Sequence, residues 1–259
     1  MKTIGNFTQT YKGTPRWSPG SDCKSRDFLI DAFCKDDNKI NCYKLLDYPT
    51  FSFHNFDTES ATRLNEKIKT VIPNIKSVCY QKMSFGSCIL LHLNMLKNKG
   101  LTDFMWIQDD EFFTHTNFKD FAKFYEFYKN NEDIKHVNLL YPSTDFQNSA
   151  SFDTKHISND LQISRFSSAE MKRTKDYTMD FTAFICNIDY FLTNMFDDQF
   201  VNLLDAYQLE GAVLNKSFQN NVERGFLNVG FFESYNIVGM RCSTCKTGET
   251  LKKLQNNFL

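Results

Sequence analysis

The chain has 259 residues, of which 41% are hydrophobic and 24% are charged, and its formal net charge is -1. This balance excludes a mostly disordered chain, which would combine low hydrophobicity with high net charge. It also argues against a protein that binds nucleic acid through bulk positive charge. Because no apolar run could span a membrane and no apolar signal segment follows Met1, we expect a cytoplasmic protein whose eight cysteines stay reduced.

Strand and helix patterns alternate through the first half of the chain. The apolar run Phe104–Gln108 predicts a strand that is buried on both faces, as in a parallel sheet. Thr58 is the expected N-cap of one helix, and Gly100 is expected to end another. The predicted strands cover residues 2–11, 42–46, 51–56, 77–80 and 104–108, and the predicted helices cover 26–35, 59–71 and 84–99. Such alternation indicates βαβ units with right-handed crossovers in a doubly wound sheet.

The second half of the chain has a mixed pattern. Its predicted strands cover residues 136–141, 161–166, 181–187, 225–231 and 235–240, and its predicted helices cover 118–128, 206–221 and 248–255. The rest of the polar stretch 147–175 is expected to be a loop. We therefore predict a single α/β domain over 1–259, in which the second half adds a subdomain to the same sheet.

An acidic cluster follows the most apolar predicted strand. Asp109, Asp110 and Glu111 come directly after it, and ligands bind outside the carboxyl ends of strands in open α/β sheets. Three neighbouring carboxylates repel one another unless a cation lies between them, and a hard divalent ion with oxygen ligands would resolve that repulsion. The alternative is a solvated acidic turn without a ligand.

The order of elements and the polar residues at strand ends resemble the GT-A glycosyltransferases. The matching segments are Thr8-Gln9-Thr10-Tyr11, Asn55-Phe56-Asp57 and Asp109-Asp110-Glu111, each after a predicted strand. Phe53-His54-Asn55-Phe56 and Gln108–Phe112 also resemble the small GT-A enzymes with which large DNA viruses build capsid glycans. The resemblance covers residues 1–115 better than the remainder.

The GT-A resemblance implies a mostly parallel central sheet flanked by helices, with a nucleotide-sugar-binding half over 1–115 and a mixed acceptor-side half over 116–259. It implies that the donor, a nucleoside-diphosphate sugar, is held by Thr8, Thr10, Tyr11, Asn55, Asp57, Gln108 and Asp109. It further implies that Mn²⁺ or Mg²⁺ is bound by Asp109, Asp110 and Glu111 and bridges the donor diphosphate. The third acidic position is Glu111 here, where the family has Asp.

The second half supplies the candidates for the catalytic base. The resemblance implies that Glu210, in Leu209-Glu210-Gly211, accepts the proton of an acceptor hydroxyl in an inverting reaction, and Asp180 is the second candidate. The alternatives are a solvated Glu210 in the first turn of a helix and an Asp180 that caps a turn. Many members have a histidine metal ligand near the C-terminal end, and residues 234–239 contain none.

The sequence therefore predicts a metal-dependent glycosyltransferase that uses UDP, the commonest nucleotide of this family, and a glycan or other hydroxyl acceptor. Two rival functions stay open. One is another two-carboxylate metal enzyme, either a nucleotidyltransferase or a nuclease; the other is a non-catalytic glycan-binding module. Cys242 and Cys245 form one CxxC pair, half of the four ligands that structural zinc needs. His115 is the only histidine expected near the metal.

Overall fold

A layered sheet organises the part of the chain that the computed structural model describes, which is residues 1–11, 24–109, 111–114, 117–140, 149–174, 183–203 and 206–234. The strands are β1 (Ile4–Phe7), β2 (Gln9–Tyr11), β3 (Thr50–His54), β4 (Lys76–Tyr80), β5 (Asp103–Trp106), β6 (Glu111–Phe113), β7 (His136–Asn138), β8 (Asp153–His156), β9 (Gln162–Ser167), β10 (Phe184–Asn187), β11 (Glu223–Leu227) and β12 (Phe232–Ser234). The helices are α1 (Lys24–Phe33), α2 (Asp37–Leu45), α3 (Thr58–Lys69), α4 (Phe85–Asn98), α5 (Phe118–Asn130), α6 (Ser168–Thr174), α7 (Ile188–Asn194) and α8 (Ala206–Gln219), with a short 3₁₀ helix over Asp198–Asn202.

The strands confirm the predicted fold class. β2, β3 and β4 pair in parallel, as do β1 and β5. β10 runs antiparallel between β5 and β7, β11 is parallel to β7, and the antiparallel strands β9 and β8 complete that side. β6 and β12 form a separate antiparallel ribbon. The protein thus has a mostly parallel central sheet that is flanked by helices and becomes mixed in its C-terminal part.

The two main sections of the sheet are joined where β1 passes into β2. The carbonyl oxygen of Thr8, between the two strands, accepts a hydrogen bond from the Ser52 amide at 2.8 Å. The side chain of Asn6 bonds both backbone groups of Thr50, accepting from its N–H at 2.7 Å and donating to its carbonyl at 3.0 Å. These bonds hold β3 beside the continuous segment of β1 and β2. β1 belongs to the seven-stranded section of the sheet, and β2 belongs to the three-stranded section with β3 and β4.

The central strand β5 separates two apolar clusters. Phe104 and Trp106 belong to the cluster on the side of α4, α7 and α8. Met105 and the following Ile107 belong to the cluster on the side of α2, α3 and α5. Because successive side chains of a strand point to opposite faces, β5 is buried on both sides, as its apolar sequence predicted.

The segment 42–46, predicted as a strand, lies in helix α2 instead. Asp36 caps this helix, since its carboxylate accepts the Lys39 amide at 2.9 Å. Ile40 and Tyr43, three residues apart, are both buried on the inner face. The cap and this helical spacing outweigh the strand propensity of the short run after Cys42.

Two further expectations of local structure are wrong. Asp57, not Thr58, caps α3, and its carboxylate accepts the Ser60 amide at 2.7 Å. The stretch 147–175 is more ordered than the expected loop, because β8 pairs with β9 over Asp153–His156 and α6 follows. The strand predicted over 235–240 and the helix over 248–255 lie outside the described residues.

None of the described helices is long and apolar enough to cross a membrane.

His92 in α4 joins three strands through a buried polar network. Its Nε2 atom lies 2.9 Å from the Asn6 carbonyl oxygen, and its Nδ1 atom lies 3.0 Å from the Tyr80 hydroxyl. The hydroxyls of Thr50 and Ser52 lie 3.1 Å and 3.3 Å from the ring nitrogens. A carbonyl oxygen only accepts, so Nε2 carries the proton and Nδ1 accepts from a hydroxyl. Burial lowers the pKa of His92 from 6.5 to about 4.

This burial predicts that His92 makes folding sensitive to mild acid. The unfolded chain takes up a proton below pH 6.5 whereas the folded protein does not until about pH 4, so stability present above pH 6.5 is lost as the pH falls. The His92 contribution to the free energy of unfolding should fall by about 2 kcal/mol between pH 7.5 and pH 5. Urea unfolding of the parent and of His92→Gln at both pH values measures this. An equal pH dependence in the two proteins would contradict the prediction.

Candidate active site

The carboxyl ends of four strands, β1, β2, β3 and β5, lie along one edge of the sheet. Tyr11, at the end of β2, pairs with His54, at the end of β3. Phe7, at the end of β1, pairs with Trp106, and the Ile107 amide donates to the Phe7 carbonyl at 3.2 Å. The predicted donor-binding segments therefore start from neighbouring positions along this edge, where ligands bind in open α/β sheets.

The chain passes from β5 to β6 at the acidic cluster, where the Glu111 amide donates to the Gln108 carbonyl at 3.3 Å. We refer to Gln108, Asp109 and Glu111 as the acidic turn. Glu111 closes it, because one carboxylate oxygen accepts the Gln108 amide at 2.6 Å and the other accepts the Ala183 amide at 2.8 Å. The Glu111 side chain is fully buried. Glu111 therefore bonds the start of the acidic turn, at Gln108, and also Ala183, the residue that precedes β10.

The buried side chain of Lys39 in α2 bonds the main chain of the acidic turn. Its ammonium group donates to the carbonyl oxygens of Gln108 at 3.1 Å, of Asp109 at 3.4 Å and of Glu111. The side chain is 0% exposed, and its Nζ atom lies 4.8 Å from the centre of the Phe112 ring. A buried ammonium group is tolerated when its donors are satisfied, so these bonds hold the main chain of the turn in one conformation.

Asp36 anchors the other end of the acidic segment. Besides capping α2, its carboxylate accepts the Phe113 amide of β6 at 3.0 Å. Burial raises the pKa of the Asp36 carboxyl, against the opposing effects of these amides and of Lys39. Sequence reasoning missed both Asp36 and Lys39 because it assigned residues 36–41 to no element and predicted a strand directly after them. Their three-residue spacing at a helix start was the available signal.

Several of the predicted donor-binding residues already make hydrogen bonds within the protein through their side chains. The Thr8 hydroxyl contacts Asn6 and Tyr43 in the interior. The Asp57 carboxylate bonds both the amide and the hydroxyl of Ser60. Asn55 has a φ angle of 62° and its side chain accepts the Lys82 amide at 3.1 Å. These residues shape the edge of the sheet, and their contacts with a nucleotide stay predictions.

Two buried polar atoms at the end of β2 have no protein partner. Neither the Thr10 hydroxyl nor the Gln9 side-chain oxygen makes a hydrogen bond within the described residues. The Gln9 amide nitrogen instead lies 2.7 Å from Nδ1 of His54. Buried polar atoms are normally satisfied, so unsatisfied ones at the predicted donor edge are consistent with a site for a polar ligand.

The oxygen donors of the acidic turn suit a hard divalent cation. Asp109 is 4% exposed at the turn, whereas Glu111 uses both oxygens to accept backbone amides. Within the described residues, no three His, Cys, Asp or Glu side chains form a group that could hold a metal ion. Ligation by Asp109 would therefore need further oxygens, which Asp110 or a diphosphate can supply. Metal binding by Asp109, Asp110 and Glu111 stays a prediction.

The remaining predicted residues lie in or near the second half. Glu210 is half-buried in the second turn of α8, which begins at Ala206 and not at Leu209. The helix dipole therefore acts on it less than a first-turn position would allow. The residues outside the described ranges, or without a described side chain, are Tyr11, Asp110, His115, Asp180, Cys242 and Cys245.

The first turn of α4 lies in close contact with the 3₁₀ helix and the residue that follows it. The Gly86 amide donates to the Leu203 carbonyl at 3.2 Å, and the Ser87 hydroxyl donates to the Val201 carbonyl at 3.0 Å. A Cβ atom on Gly86 would overlap the carbonyl oxygen of Phe200. Glycine therefore permits the 3₁₀ helix to lie against the first turn of α4, at the same edge of the sheet as the acidic turn.

Comparison with known proteins gives a likeness in fold. No protein-family model matches the chain, and no curated protein matches it. The structure of GalNAc-T7 with UDP, GalNAc and Mn²⁺ aligns with 88% of this chain and 43% of its own, at 10% identity and a TM-score of 0.50. UDP-glucose pyrophosphorylase complexed with UDP-glucose aligns with 99% of this chain and 98% of its own, at 10% identity and a TM-score of 0.48. Mannose-1-phosphate geranyltransferase from Thermus thermophilus aligns with 90% and 76%, at 10% identity and a TM-score of 0.46.

The Lys39 ammonium group should be essential for the stability of the acidic turn. Lys39→Met leaves three carbonyl oxygens without their donor, so we expect the free energy of unfolding to fall by about 3 kcal/mol. Lys44→Met on the same helix is the matched control, because Lys44 is exposed and its loss should change stability by less than about 0.5 kcal/mol. Equal stability of the two variants in urea unfolding would refute this role of Lys39.

Proposed function

We propose that this protein is a metal-dependent glycosyltransferase that transfers a sugar from a nucleoside-diphosphate sugar, with UDP as the expected nucleotide, to a hydroxyl of a glycan or another acceptor. The observation that carries the proposal is the acidic turn, which Lys39 and Glu111 hold at the carboxyl edge of the sheet. The likeness in fold to GalNAc-T7, which was solved with UDP, GalNAc and Mn²⁺, supports it. The narrower resemblance to viral enzymes stays a sequence-based prediction.

The residues at the strand ends would bind the donor. The Thr10 hydroxyl and the Gln9 side-chain oxygen, which lack partners among the described residues, are available to a nucleotide. Asp109, together with Asp110, would hold Mn²⁺ or Mg²⁺, which neutralises the leaving diphosphate when it is bound. Glu111 would act by positioning, because its bonds to two backbone amides hold the acidic turn in place.

Glu210 is the proposed general base. The Glu210 carboxylate would accept the proton of the acceptor hydroxyl. The hydroxyl oxygen would then attack the anomeric carbon of the sugar while the bond between that carbon and the diphosphate breaks. Such a single displacement inverts the configuration of the sugar. Glu210 is half-buried in α8, and the neighbouring Leu209 belongs to the same apolar cluster as Ile89 of α4. Asp180 is the second candidate.

The reaction products separate this function from nucleotidyl transfer, the main rival. A glycosyltransferase breaks the bond between the sugar and the diphosphate and releases UDP. A nucleotidyltransferase breaks a bond inside the diphosphate and, with pyrophosphate, converts a UDP-sugar to UTP and a sugar phosphate. Chromatography of the nucleotides formed from UDP-glucose, with and without pyrophosphate, therefore distinguishes the two. If UTP forms, and forms only when pyrophosphate is present, the protein is a nucleotidyltransferase and the proposed glycosyltransferase function is wrong.

Donor binding should depend on Asp109 and on a divalent metal. We expect UDP to raise the melting temperature in the presence of Mn²⁺ and not in its absence, because binding to the folded state stabilises it. Asp109→Asn should lose this shift while it keeps the parent melting temperature without ligand. Asp160→Asn, at an exposed turn, is the control and should keep the shift. Failure of every nucleoside diphosphate in the presence of Mn²⁺ would count against a glycosyltransferase.

Glu210→Gln should separate donor binding from sugar transfer. The amide preserves the shape of the side chain but accepts no proton, so kcat should fall by about 10²- to 10⁴-fold while the donor affinity stays unchanged. Initial rates at saturating donor and acceptor measure this. Glu126→Gln, on the exposed face of α5, is the matched control. A normal kcat for Glu210→Gln would exclude this residue as the base.

A further inference from the structure

We propose that His54 is a positioning residue that holds the side-chain amide of Gln9 in one orientation, with the NH₂ group towards the imidazole ring and the oxygen left for the donor substrate. That oxygen then accepts a hydrogen bond from an N–H or O–H group of the nucleoside. The inference rests on the proposed function, because it assigns the nucleoside end of the nucleoside-diphosphate sugar to the end of β2.

The hydrogen bonds of His54 determine which ring nitrogen carries the proton. Nε2 lies 2.9 Å from the Met83 carbonyl oxygen, and a carbonyl oxygen only accepts, so Nε2 is the donor. In a neutral imidazole the other nitrogen, Nδ1, then has a lone pair and no proton. Burial lowers the pKa of His54, against the opposing bond to Met83, and so favours this neutral form at neutral pH.

The neutral ring in turn decides the orientation of the Gln9 amide. The oxygen and the NH₂ group of an amide have nearly the same shape, so a neighbouring atom must select between them. Nδ1 of His54 accepts, and it lies 2.7 Å from the Gln9 side-chain nitrogen. A flipped amide would place two lone pairs against each other at that distance. The Gln9 oxygen therefore faces away from the ring, and it is buried with no hydrogen-bond partner within the described residues.

The Gln9 side chain lies at the edge of the sheet where the donor is proposed to bind. Gln9 follows by two residues the end of β1, where Phe7 pairs with Trp106. Both aromatic residues belong to the apolar cluster on the side of α4. His54 is on that side too, because its partner Met83 directly precedes the N-cap of α4. Gln9 as a whole is half-buried, so it borders solvent at this edge.

The chemistry of the donor substrate identifies the part that suits this oxygen. The ionised diphosphate offers acceptor oxygens only, and two acceptors that face each other both stay unsatisfied. The nucleoside offers donors of two kinds, the N–H of the base and the hydroxyls of the ribose. Asp57, the other acceptor that the family resemblance implies, already bonds the amide and the hydroxyl of Ser60. The Gln9 oxygen therefore suits the nucleoside and leaves the diphosphate to the acidic turn.

Calorimetric titration of UDP in the presence of Mn²⁺ tests the contact. Gln9→Met keeps the length of the side chain without its polar atoms, and should raise Kd about tenfold through the loss of one hydrogen bond. Gln219→Met, at an exposed position of α8, is the matched control and should leave Kd unchanged. An unchanged Kd for Gln9→Met would overturn the proposal, because a water molecule must then bond the oxygen instead of UDP.

Analogues of UDP distinguish the two kinds of donor group. UDP methylated at N3 of uracil lacks the base N–H, and the 2′-deoxy and 3′-deoxy forms each lack one ribose hydroxyl. One of the three should bind the parent protein about tenfold more weakly than UDP does, yet bind Gln9→Met as UDP does, because that contact is already lost. Three analogues that each lose the same affinity in both proteins would overturn the contact of Gln9 with the nucleoside.

Substitution of His54 tests its positioning role. His54→Asn keeps an acceptor oxygen near the place of Nδ1 and should retain the affinity for UDP. His54→Leu removes the acceptor, so the Gln9 amide can turn, and Kd should rise towards that of Gln9→Met. In a protein that already has Gln9→Met, His54→Leu should cause no further loss, whereas a merely structural role would add one. Nitrogen NMR of the ring should show the proton on Nε2, and a proton on Nδ1 would refute the positioning.

The outcomes separate this inference from the proposed function. If no nucleoside diphosphate binds the parent protein in the presence of Mn²⁺, the proposed function fails, and the assignment of the nucleoside end fails with it. If UDP binds the parent, Gln9→Met and His54→Leu equally well, the proposed function stands and this inference alone is wrong.

Discussion

The buried ammonium group of Lys39 is the constraint on which the candidate site depends. It bonds three main-chain carbonyl oxygens of the acidic turn and contacts the Phe112 ring. Charge and carbonyl groups stabilise one another, because neither has access to water in this position. Asp36, three residues earlier, bonds the next segment of backbone at Phe113. The start of α2 therefore bonds this part of the chain at two points, through Lys39 at the acidic turn and through Asp36 at Phe113.

The same turn couples the two halves of the chain. The bond from the Ala183 amide to Glu111 ties the acidic turn to the start of β10, the strand that lies between β5 and β7. The first and second halves of the chain thus share one structural element. Of the acidic residues, Glu111 accepts two backbone amides, one from each half of the chain.

Long periodic elements could be predicted well, and elements that depend on distant contacts could not. β5 followed from its apolar run and α3 from its helical spacing. The stretch 42–46 was misassigned because a short segment with four apolar or aromatic residues fits a buried strand as well as a helix face. Its helical state depends on the Asp36 cap and on packing against the sheet. The error mattered, because without the helix that begins at Asp37 no role was predicted for Lys39, which bonds the acidic turn.

The sequence by itself determined the α/β fold class, the buried central strand and the placement of Asp109, Asp110 and Glu111 directly after that strand. These follow from local spacing, since the period of apolar residues and the end of an apolar run can be identified without knowledge of the partner. Only the tertiary structure decided what the Glu111 carboxylate contacts. The bonds of Glu111 to Ala183 and of Lys39 to the acidic turn join residues about 70 positions apart, and the folded core alone brings such groups together and removes the water that would otherwise satisfy them.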